Sequence, residues 1–295
     1  MLSGVLVVDK PAGMTSHDVV NQVRRLAGTR RVGHAGTLDP IATGLLVVLV
    51  GPTTRLSRYV MHGDKRYHCV VRLGETTKTY DAAGETVERR PVTVGRAGIE
   101  AALGTFVGPL EQIPPMYSAI KVKGRKLYEL AREGKEIQRE PRKITIHALE
   151  LLDWQPPDLT LDVVCSPGTY IRSLAHDLGQ SLGCGGHIRA LRRVASQPFS
   201  LAQAHPLVEL EEHHRQDAFA QALLPPASAL GTMPLIVIAP EQERAIRYGQ
   251  AIDLAVKADP ATVQAQDPHG NLIGILARVS ETQYRPTLVL PPSET

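Results

Sequence analysis

The sequence predicts an α+β protein in which a large N-terminal domain is followed by a small β-rich domain. Before about residue 225, apolar runs typical of strands alternate with segments whose apolar residues have helical spacing. Two strand-like segments, 144–154 and 159–165, flank a turn, which predicts consecutive strands of one sheet. After Pro225 the composition changes to short strand-like segments around one helical segment at 241–248. We therefore place a domain boundary between residues 229 and 230.

The N-terminal segment predicts a strand, a turn and a helix. Residues 4–10 form a nearly continuous apolar run, and Pro11 and Gly13 mark a turn after it. Ser16 is the predicted N-cap of the helix, and Gly28 is predicted to end it. The apolar face of this helix has the required spacing in Val19, Val20, Val23 and Leu26.

The stretch Arg31–Gly44 predicts a loop that leads into an apolar strand at residues 45–50. Its glycines allow positive φ angles, and Pro40 disfavours the helical conformation for Asp39. Asp39 is therefore predicted to lie on a stiff loop, where its carboxylate can face outward for chemistry. Taken alone, an Asp-Pro pair between glycines is ordinary turn material, so the rest of the chain has to decide its meaning.

Two later segments hold a tyrosine on a predicted strand and a run of basic residues. Residues 65–73 alternate like a strand, with Tyr67 on the apolar face, which favours a buried, structural tyrosine. The segment 117–143 holds nine lysines and arginines and few apolar residues, which predicts a basic surface arm that closes on phosphates. A solvated charged loop is the alternative interpretation of this arm.

Tyr170 and Arg172 lie at the start of a predicted helix. Apolar residues with helical spacing run from Ile171 to Leu178, directly after the strand at 159–165. Junctions of this kind often carry functional side chains. The strand predicted next, at 185–194, carries three arginines.

Charge and composition point to a polyanionic partner. Residues 1–206 contain 27 lysines and arginines against 19 acidic residues, whereas residues 207–295 contain 6 against 11. Eight of the twelve aromatic residues are tyrosines, which can stack on bases and also form hydrogen bonds. The three cysteines are odd in number and lack zinc-ligand spacing, so we expect a reducing cytoplasm and no metal site. We expect no signal peptide and no membrane span.

Several enzyme classes lack their characteristic motifs in this sequence. No Gly-x-Gly-x-x-Gly follows the first strand, and no phosphate-binding loop ends in Gly-Lys-Ser/Thr. A Gly-x-Ser-x-Gly elbow and a His-Glu-x-x-His pair are also missing. Nucleotide-cofactor, serine-hydrolase and zinc-peptidase chemistry therefore find no support in the sequence.

Five motifs resemble, in order, those of the TruB family of tRNA pseudouridine synthases. They are GVLVVDKPAGMTS (4–16), GHAGTLDPIATG (33–44), DKRY (64–67), PMYSA (115–119) and GTYIR (168–172). The sequence departs from the family pattern at Pro167, where we expect a basic residue, and this departure puts one phosphate contact in doubt.

The resemblance implies a pseudouridine synthase fold, with a mixed, mainly antiparallel sheet flanked by helices. Residues 1–229 would form the catalytic domain, with an RNA-gripping arm at about 117–143. Residues 230–295 resemble, loosely, the PUA-like RNA-binding domain of the family. The implied reaction is the isomerisation of uridine 55 in the TΨC arm of tRNA, with base flipping and without a cofactor.

The resemblance also implies a role for each candidate site residue. Asp39 would be the catalytic carboxylate, and the positive charge of Arg172 would stabilise its ionised form. Lys10 would support the opening motif structurally. The residues implied to bind the substrate are His34, which fills the space left by the flipped base, Tyr67, which stacks on that base, and Tyr170 and Leu191, which line its pocket.

Three other functions remain open from the sequence. One is a uridine isomerase that acts on another RNA, and the second is a non-catalytic RNA-binding protein. The third is a phosphoryl-transfer enzyme with an aspartyl nucleophile. The sequence lacks the second Asp and the Mg²⁺-binding spacing that are usual in such enzymes. With tRNA as its partner, we expect a cytoplasmic monomer that needs no obligate protein partner.

Overall fold

The computed structural model describes residues 2–122, 124–254 and 260–292. Its strands, in chain order, are β1 (Gly4–Lys10), β2 (Val32–Ala35), β3 (Thr43–Val50), β4 (Lys65–Leu73), β5 (Glu75–Thr77), β6 (Thr86–Arg89), β7 (Gly108–Gln112), β8 (Lys121–Val122), β9 (Arg125–Lys126), β10 (Arg142–Gln155), β11 (Asp158–Cys165), β12 (Gly186–Ser196), β13 (Phe199–Ser200), β14 (His205–Pro206), β15 (Leu235–Val237), β16 (Ile252–Asp253), β17 (Thr262–Gln266), β18 (Leu272–Arg278) and β19 (Gln283–Val289).

Seven α-helices and four short 3-10 helices complete the described part of the chain. The α-helices are α1 (Ser16–Leu26), α2 (Ser57–Met61), α3 (Arg96–Thr105), α4 (Leu127–Arg132), α5 (Ile171–Ser181), α6 (Leu207–Arg215) and α7 (Pro240–Arg247). The 3-10 helices are Gly51–Leu56, Leu201–Gln203, Phe219–Ala222 and Pro226–Leu230. Among the helices of the described residues, none is long and apolar enough to cross a membrane.

The chain divides into two compact units that do not follow its linear order. Unit 1 contains residues 1–39, 45–63 and 196–295, and unit 2 contains residues 40–44 and 64–195. The α+β class and the large, mainly antiparallel sheet with flanking helices are confirmed. The domain boundary between residues 229 and 230 stays a prediction.

Unit 1 combines the N-terminal elements with the β-rich C-terminal part of the chain. Strand β1 pairs in parallel with β14, and β2 pairs antiparallel with β3. The C-terminal strands form a five-stranded sheet in the order β15-β17-β18-β19-β16, which confirms the predicted β-rich segment. Side chains of this sheet, including Leu272, Ile275 and Leu288, share one buried cluster with Val5 and Leu45.

Unit 2 is built on the longest strands of the protein. Strand β10 pairs antiparallel with β7 and β11, β11 pairs antiparallel with β4, and β4 neighbours β12. The register places Tyr67 opposite Val163. Along β4, the predicted alternation is confirmed, because Tyr67, Cys69, Val71 and Leu73 are all buried.

Two local predictions were wrong in an informative way. Thr15, and not Ser16, caps helix α1, since the Thr15 side chain accepts a hydrogen bond from the Asp18 backbone N–H. The predicted loop 31–44 begins with strand β2, so His34 lies on a strand opposite Val48. The irregular segment is shorter than expected and runs from Gly36 to Ala42, with Asp39 inside it.

Candidate active site

The opening motif is braced by a buried lysine. Lys10 is fully buried at the end of β1, and its ammonium group donates to the carbonyl oxygens of Pro11 (2.8 Å) and Met14 (2.7 Å). Those bonds close the turn between β1 and α1. The structure agrees with the predicted structural role of Lys10.

Ser16 connects helix α1 to the segment that carries Asp39. Because Thr15 caps the helix, the Ser16 hydroxyl is available for a longer-range contact. It accepts a hydrogen bond from the Leu38 backbone N–H (2.8 Å) and donates one to the Leu38 carbonyl (3.0 Å). Ser16 and Leu38 are both buried. The residue directly before Asp39 is therefore held at both of its backbone polar groups.

Asp39 itself is partly buried and lies outside regular secondary structure. Gly36, with φ of 98°, turns the chain at the end of β2, and Pro40 follows Asp39 directly. The predicted non-helical backbone at Asp39 is confirmed. His34 and Asp39 thus lie on the same short connection in unit 1, at positions set by a strand and by Ser16.

Gly44 shows why the motif ends in glycine. Its φ is 95°, and a Cβ atom at this position would lie 2.3 Å from the Arg193 carbonyl oxygen. The start of β3 pairs in parallel with β12 here, with Thr43 opposite Arg192. A larger residue would force these two backbones apart.

Arg172 has a fixed and buried guanidinium group. It lies in the first turn of α5 with a side chain only 4% exposed. Its Nη1 donates to the Thr79 carbonyl (2.9 Å) and its Nη2 to the Tyr117 carbonyl (2.8 Å). Nη1 also lies 3.5 Å from Oδ2 of Asp81. These contacts fix the plane of the guanidinium group as well as its charge.

Asp81 is a buried carboxylate beside Arg172 that sequence reasoning missed. Its side chain is 7% exposed, and its Oδ1 accepts hydrogen bonds from the Thr79 hydroxyl (2.6 Å) and the Ala83 backbone N–H (3.1 Å). A carboxylate this well buried is rare unless it is paired with a cation. No spacing in the sequence marks it, because its partner Arg172 is 91 residues away along the chain.

The two candidate tyrosines are held in different ways. Tyr170 is the N-cap residue of α5, and Gln112 forms a two-way bridge to its backbone, accepting from its N–H (2.8 Å) and donating to its carbonyl (3.0 Å). Tyr67 is buried on β4. Leu191 is buried on β12, the strand next to β4, so unit 2 brings Tyr67 and Leu191 onto neighbouring strands.

Two buried basic residues, Lys65 on β4 and Arg193 on β12, also lie on these neighbouring strands. Burial, and then the charge of Arg193, lowers the pKa of Lys65 to about 8. This pKa lies below the ordinary value of 10.5, so the charged form of Lys65 lowers the free energy of unfolding, and this effect is complete below pH 8. The effect disappears as the pH rises from 8 towards 10.5.

Known structures share this fold. A crystal structure of a Cbf5-Nop10-Gar1 complex contains a chain with a TM-score of 0.74 and 25% sequence identity, covering 98% of this chain and 84% of that chain. A structure of an H/ACA RNP bound to a substrate RNA containing 2′-deoxyuridine also gives a TM-score of 0.74, at 23% identity over 98% of this chain and 85% of that chain. The fold is therefore that of the pseudouridine synthases.

Sequence relatives define the family within this class. The model of the TruB family pseudouridylate synthase N-terminal domain matches residues 24–171, and that of the tRNA pseudouridylate synthase B C-terminal domain matches residues 172–231. The chain is 45% identical over 277 residues to the tRNA pseudouridine synthase B of Pseudomonas aeruginosa, covering 93% of this chain and 91% of the relative. The Pseudomonas putida protein of the same name is 44% identical over 283 residues, covering 95% and 92%. The chain belongs to the TruB family of pseudouridylate synthases.

Proposed function

We propose that this chain is an isomerase that converts uridine 55 in the TΨC arm of tRNA to pseudouridine, with Asp39 as its catalytic carboxylate. The observation that carries the proposal is the placement of Asp39, in a chain whose named relatives are tRNA pseudouridine synthases. Asp39 lies on an irregular segment that Ser16 fixes through Leu38. Asp39 is partly buried, so it is accessible while the backbone of the residue before it is held.

The reaction needs little beyond a carboxylate and a shaped pocket. The N1–C1′ bond of uridine breaks, the base turns, and a C5–C1′ bond forms, while C5 loses a proton and N1 gains one. A carboxylate can promote the bond cleavage by adding to the sugar or the base, or by assisting elimination. No net oxidation or reduction takes place, so the reaction as such requires no redox cofactor.

The remaining site residues are proposed to bind and orient the flipped uridine. Tyr67 would stack on the base, Tyr170 and Leu191 would line its pocket, and His34 would occupy the space that the base leaves. The role of Arg172 as the positive partner of the catalytic carboxylate also stays a prediction. Its buried, doubly anchored guanidinium supports a role that depends on orientation.

The function is tested by incubating the purified chain with a tRNA transcript and mapping pseudouridine at each uridine. We expect modification at position 55 and none in a matched transcript that carries cytidine there. Modification at another position, or only in another RNA, would support a different uridine isomerase. Tight binding without any modification would support a non-catalytic RNA-binding protein. Light scattering on the same preparation tests the proposed monomer. Activity of the purified chain without any added protein tests its independence of a protein partner.

Ser16 provides a prediction about positioning. Ser16→Ala removes both hydrogen bonds to Leu38, so Asp39 loses the support next to it. We expect the single-turnover rate to fall by about 10- to 100-fold, because misplacing a catalytic group by about 1 Å has effects of this size. The dissociation constant for tRNA should stay within about twofold of the parent value, since the proposed binding residues are untouched.

A matched variant separates positioning by Ser16 from general stability. Thr15→Ala removes the N-cap of the same helix, at a cost of about 0.5–2 kcal/mol, but leaves the Ser16–Leu38 contact in place. We expect this variant to keep near-parental activity below its unfolding temperature. Equal losses of activity in the two variants would show that Ser16 acts only through the stability of α1.

The basic arm, residues 117–143, is more ordered than the sequence suggested. It contains the β8–β9 hairpin and helix α4, in which Leu127 and Leu130 are buried. Hydrogen bonds from Arg125 and then Lys135 lower the pKa of Glu133 to about 2. Arg125 and Lys135 are therefore already paired with an acidic residue when RNA is not bound. Lys123, which we also assigned to the arm, lies outside the described residues.

We expect RNA binding to depend on the cations of this arm. Replacing Lys121, Lys123, Arg125 and Lys126 with glutamine should weaken tRNA binding and flatten its dependence on salt. Each phosphate contact that is lost should reduce the slope of log K against log salt by about 0.7–0.9. Filter binding across a salt series gives this slope directly.

The control for the arm places the same change in net charge elsewhere in unit 2. Lys78, Arg89, Arg90 and Arg96 are at least partly exposed, and each forms an ion pair with a nearby glutamate. Replacing these four with glutamine should leave the slope closer to that of the parent. An arm variant with the parental slope would remove the arm from the RNA-binding surface.

A further inference from the structure

A cluster of two histidines and a glutamate lies outside all of the residues discussed so far. His205 is on β14, and Glu209 and His213 follow on helix α6. Glu209 and His213 are four residues apart, so they lie on the same side of α6, and His205 comes close to them from the strand before the helix. Glu209 Oε1 lies 2.8 Å from Nδ1 of His205 and 3.5 Å from Nε2 of His213. One ligand atom from each residue lies within 4.8 Å of the other two.

We propose that His205, Glu209 and His213 form a binding site for Zn²⁺ or a similar divalent transition metal. Two histidines and one glutamate are a ligand set that zinc uses, with metal–ligand distances of about 2.0–2.2 Å. Around a tetrahedral ion such distances separate neighbouring ligand atoms by about 3.3–3.6 Å. The Glu209–His213 separation already has this value, whereas His205 Nδ1, at 2.8 Å from Glu209 Oε1, would have to move outward.

The orientation of the two imidazole rings and the exposure of the three side chains are compatible with a bound metal ion. The two imidazole rings stand at 73° to each other with centroids 5.9 Å apart, so they do not stack face to face. The side chains are 29%, 46% and 28% exposed for His205, Glu209 and His213, which leaves room for a water molecule as the fourth ligand. A shared hydrogen-bonded cluster without metal is the competing interpretation.

The types of ligand atom also favour a transition metal. Two nitrogen ligands favour zinc and its neighbours over Mg²⁺ and Ca²⁺, which prefer oxygen.

A metal at this position would join two elements that support the opening motif. Strand β14 pairs with the end of β1, with His205 opposite Val8. Helix α6 is linked to α1 through a hydrogen bond from Gln22 to Glu211 (2.7 Å). The ion would therefore stabilise the framework from which Lys10 and Ser16 extend, and its expected effect is on stability.

Zinc binding to the untagged chain tests the proposal. Equilibrium dialysis should give one Zn²⁺ per chain, unaffected by excess Mg²⁺, and Zn²⁺ should raise the Tm. His213→Ala and Glu209→Gln should each weaken binding by at least about tenfold, because each removes one of three ligands. His214→Ala is the matched control, since His214 is exposed on the same helix and lies outside the cluster.

The cysteines should not compete for the ion in this experiment. Cys69, Cys165 and Cys184 are buried. Burial raises the pKa of Cys69 to about 12 and that of Cys165 to about 11. Failure of the parent chain to bind Zn²⁺ at micromolar concentration would identify a hydrogen-bonded cluster only. Unchanged zinc affinity in both ligand variants would place the ion elsewhere, and either result overturns the proposal.

Discussion

Replacing Asp39 with asparagine is expected to abolish pseudouridine formation while leaving the fold and tRNA binding intact. The substitution keeps the size of the side chain and most of its hydrogen bonding, but it removes the negative charge and the nucleophilic oxygen. The Ser16–Leu38 contact involves only the neighbouring backbone, so Asp39→Asn should not disturb it. Single-turnover measurement of pseudouridine, with enzyme in excess over tRNA, should show no product.

The control makes the same chemical change at a harmless position. Asp217 is exposed and has φ of 54°, a conformation that asparagine tolerates well. Asp217→Asn should therefore match the parent in rate, affinity and Tm. Arg172→Lys, measured in parallel, keeps the charge but loses the planar fork, so it should slow the chemical step without abolishing it. A rate near the parental value for Asp39→Asn would mean that the segment is only a turn.

The elements with strong periodicity were predictable from the sequence. Strand β4 and helix α5 each have a pattern that one buried face imposes on the chain. The pair β10–β11 was predictable from the turn that separates its two strands. The non-helical backbone at Asp39 was predictable as well, because Pro40 restricts it locally. In these cases the information lies within a few residues of the feature that it determines.

Features that depend on distant partners were not predictable. Ser16 has the residue type and position of an N-cap, and only the structure shows that its hydroxyl instead reaches Leu38, 22 residues away. Strand β2 was missed because its pairing with β3 outweighs the turn-forming tendency of its glycine. The composition change after Pro225 indicated a β-rich segment, but not that Leu272 and Leu288 share a buried cluster with Val5.

The candidate site shows the same division between local and distant information. Motif resemblance led to Asp39, Arg172 and the four proposed substrate-binding residues. Asp81 was missed because nothing near it in the sequence indicates a buried carboxylate. We expect Asp81 to matter because it is buried and lies beside the Arg172 guanidinium group. Both are properties of the folded chain.

Asp81→Asn is expected to have the second-largest effect on the reaction. The two charged side chains are 4% and 7% exposed, so removing the carboxylate leaves the Arg172 cation in a poorly solvated site. Breaking a buried pair in this way lowers the free energy of unfolding by about 3–5 kcal/mol. We expect it also to displace the guanidinium group of Arg172. We expect the single-turnover rate to fall by about 100-fold and the tRNA dissociation constant to change by less than about threefold.

Asp162→Asn is the matched control for this change. Asp162 is also buried and also pairs with an arginine, since Arg66 Nη2 lies 2.7 Å from its Oδ2. Its ion-pair partners, Arg66 and His68, are not among the proposed site residues. Its substitution should lower the Tm without a comparable loss of rate at a temperature where the variant is folded.

A double-mutant cycle decides whether Asp81 acts through Arg172. If it does, Asp81→Asn should cause little further loss of rate once Arg172 has been changed to glutamine, because the group that Asp81 positions is already gone. Multiplied losses in the double variant would mean that the two residues act independently. A parental rate for Asp81→Asn alone would show that the two backbone carbonyls of Thr79 and Tyr117 are sufficient to orient Arg172.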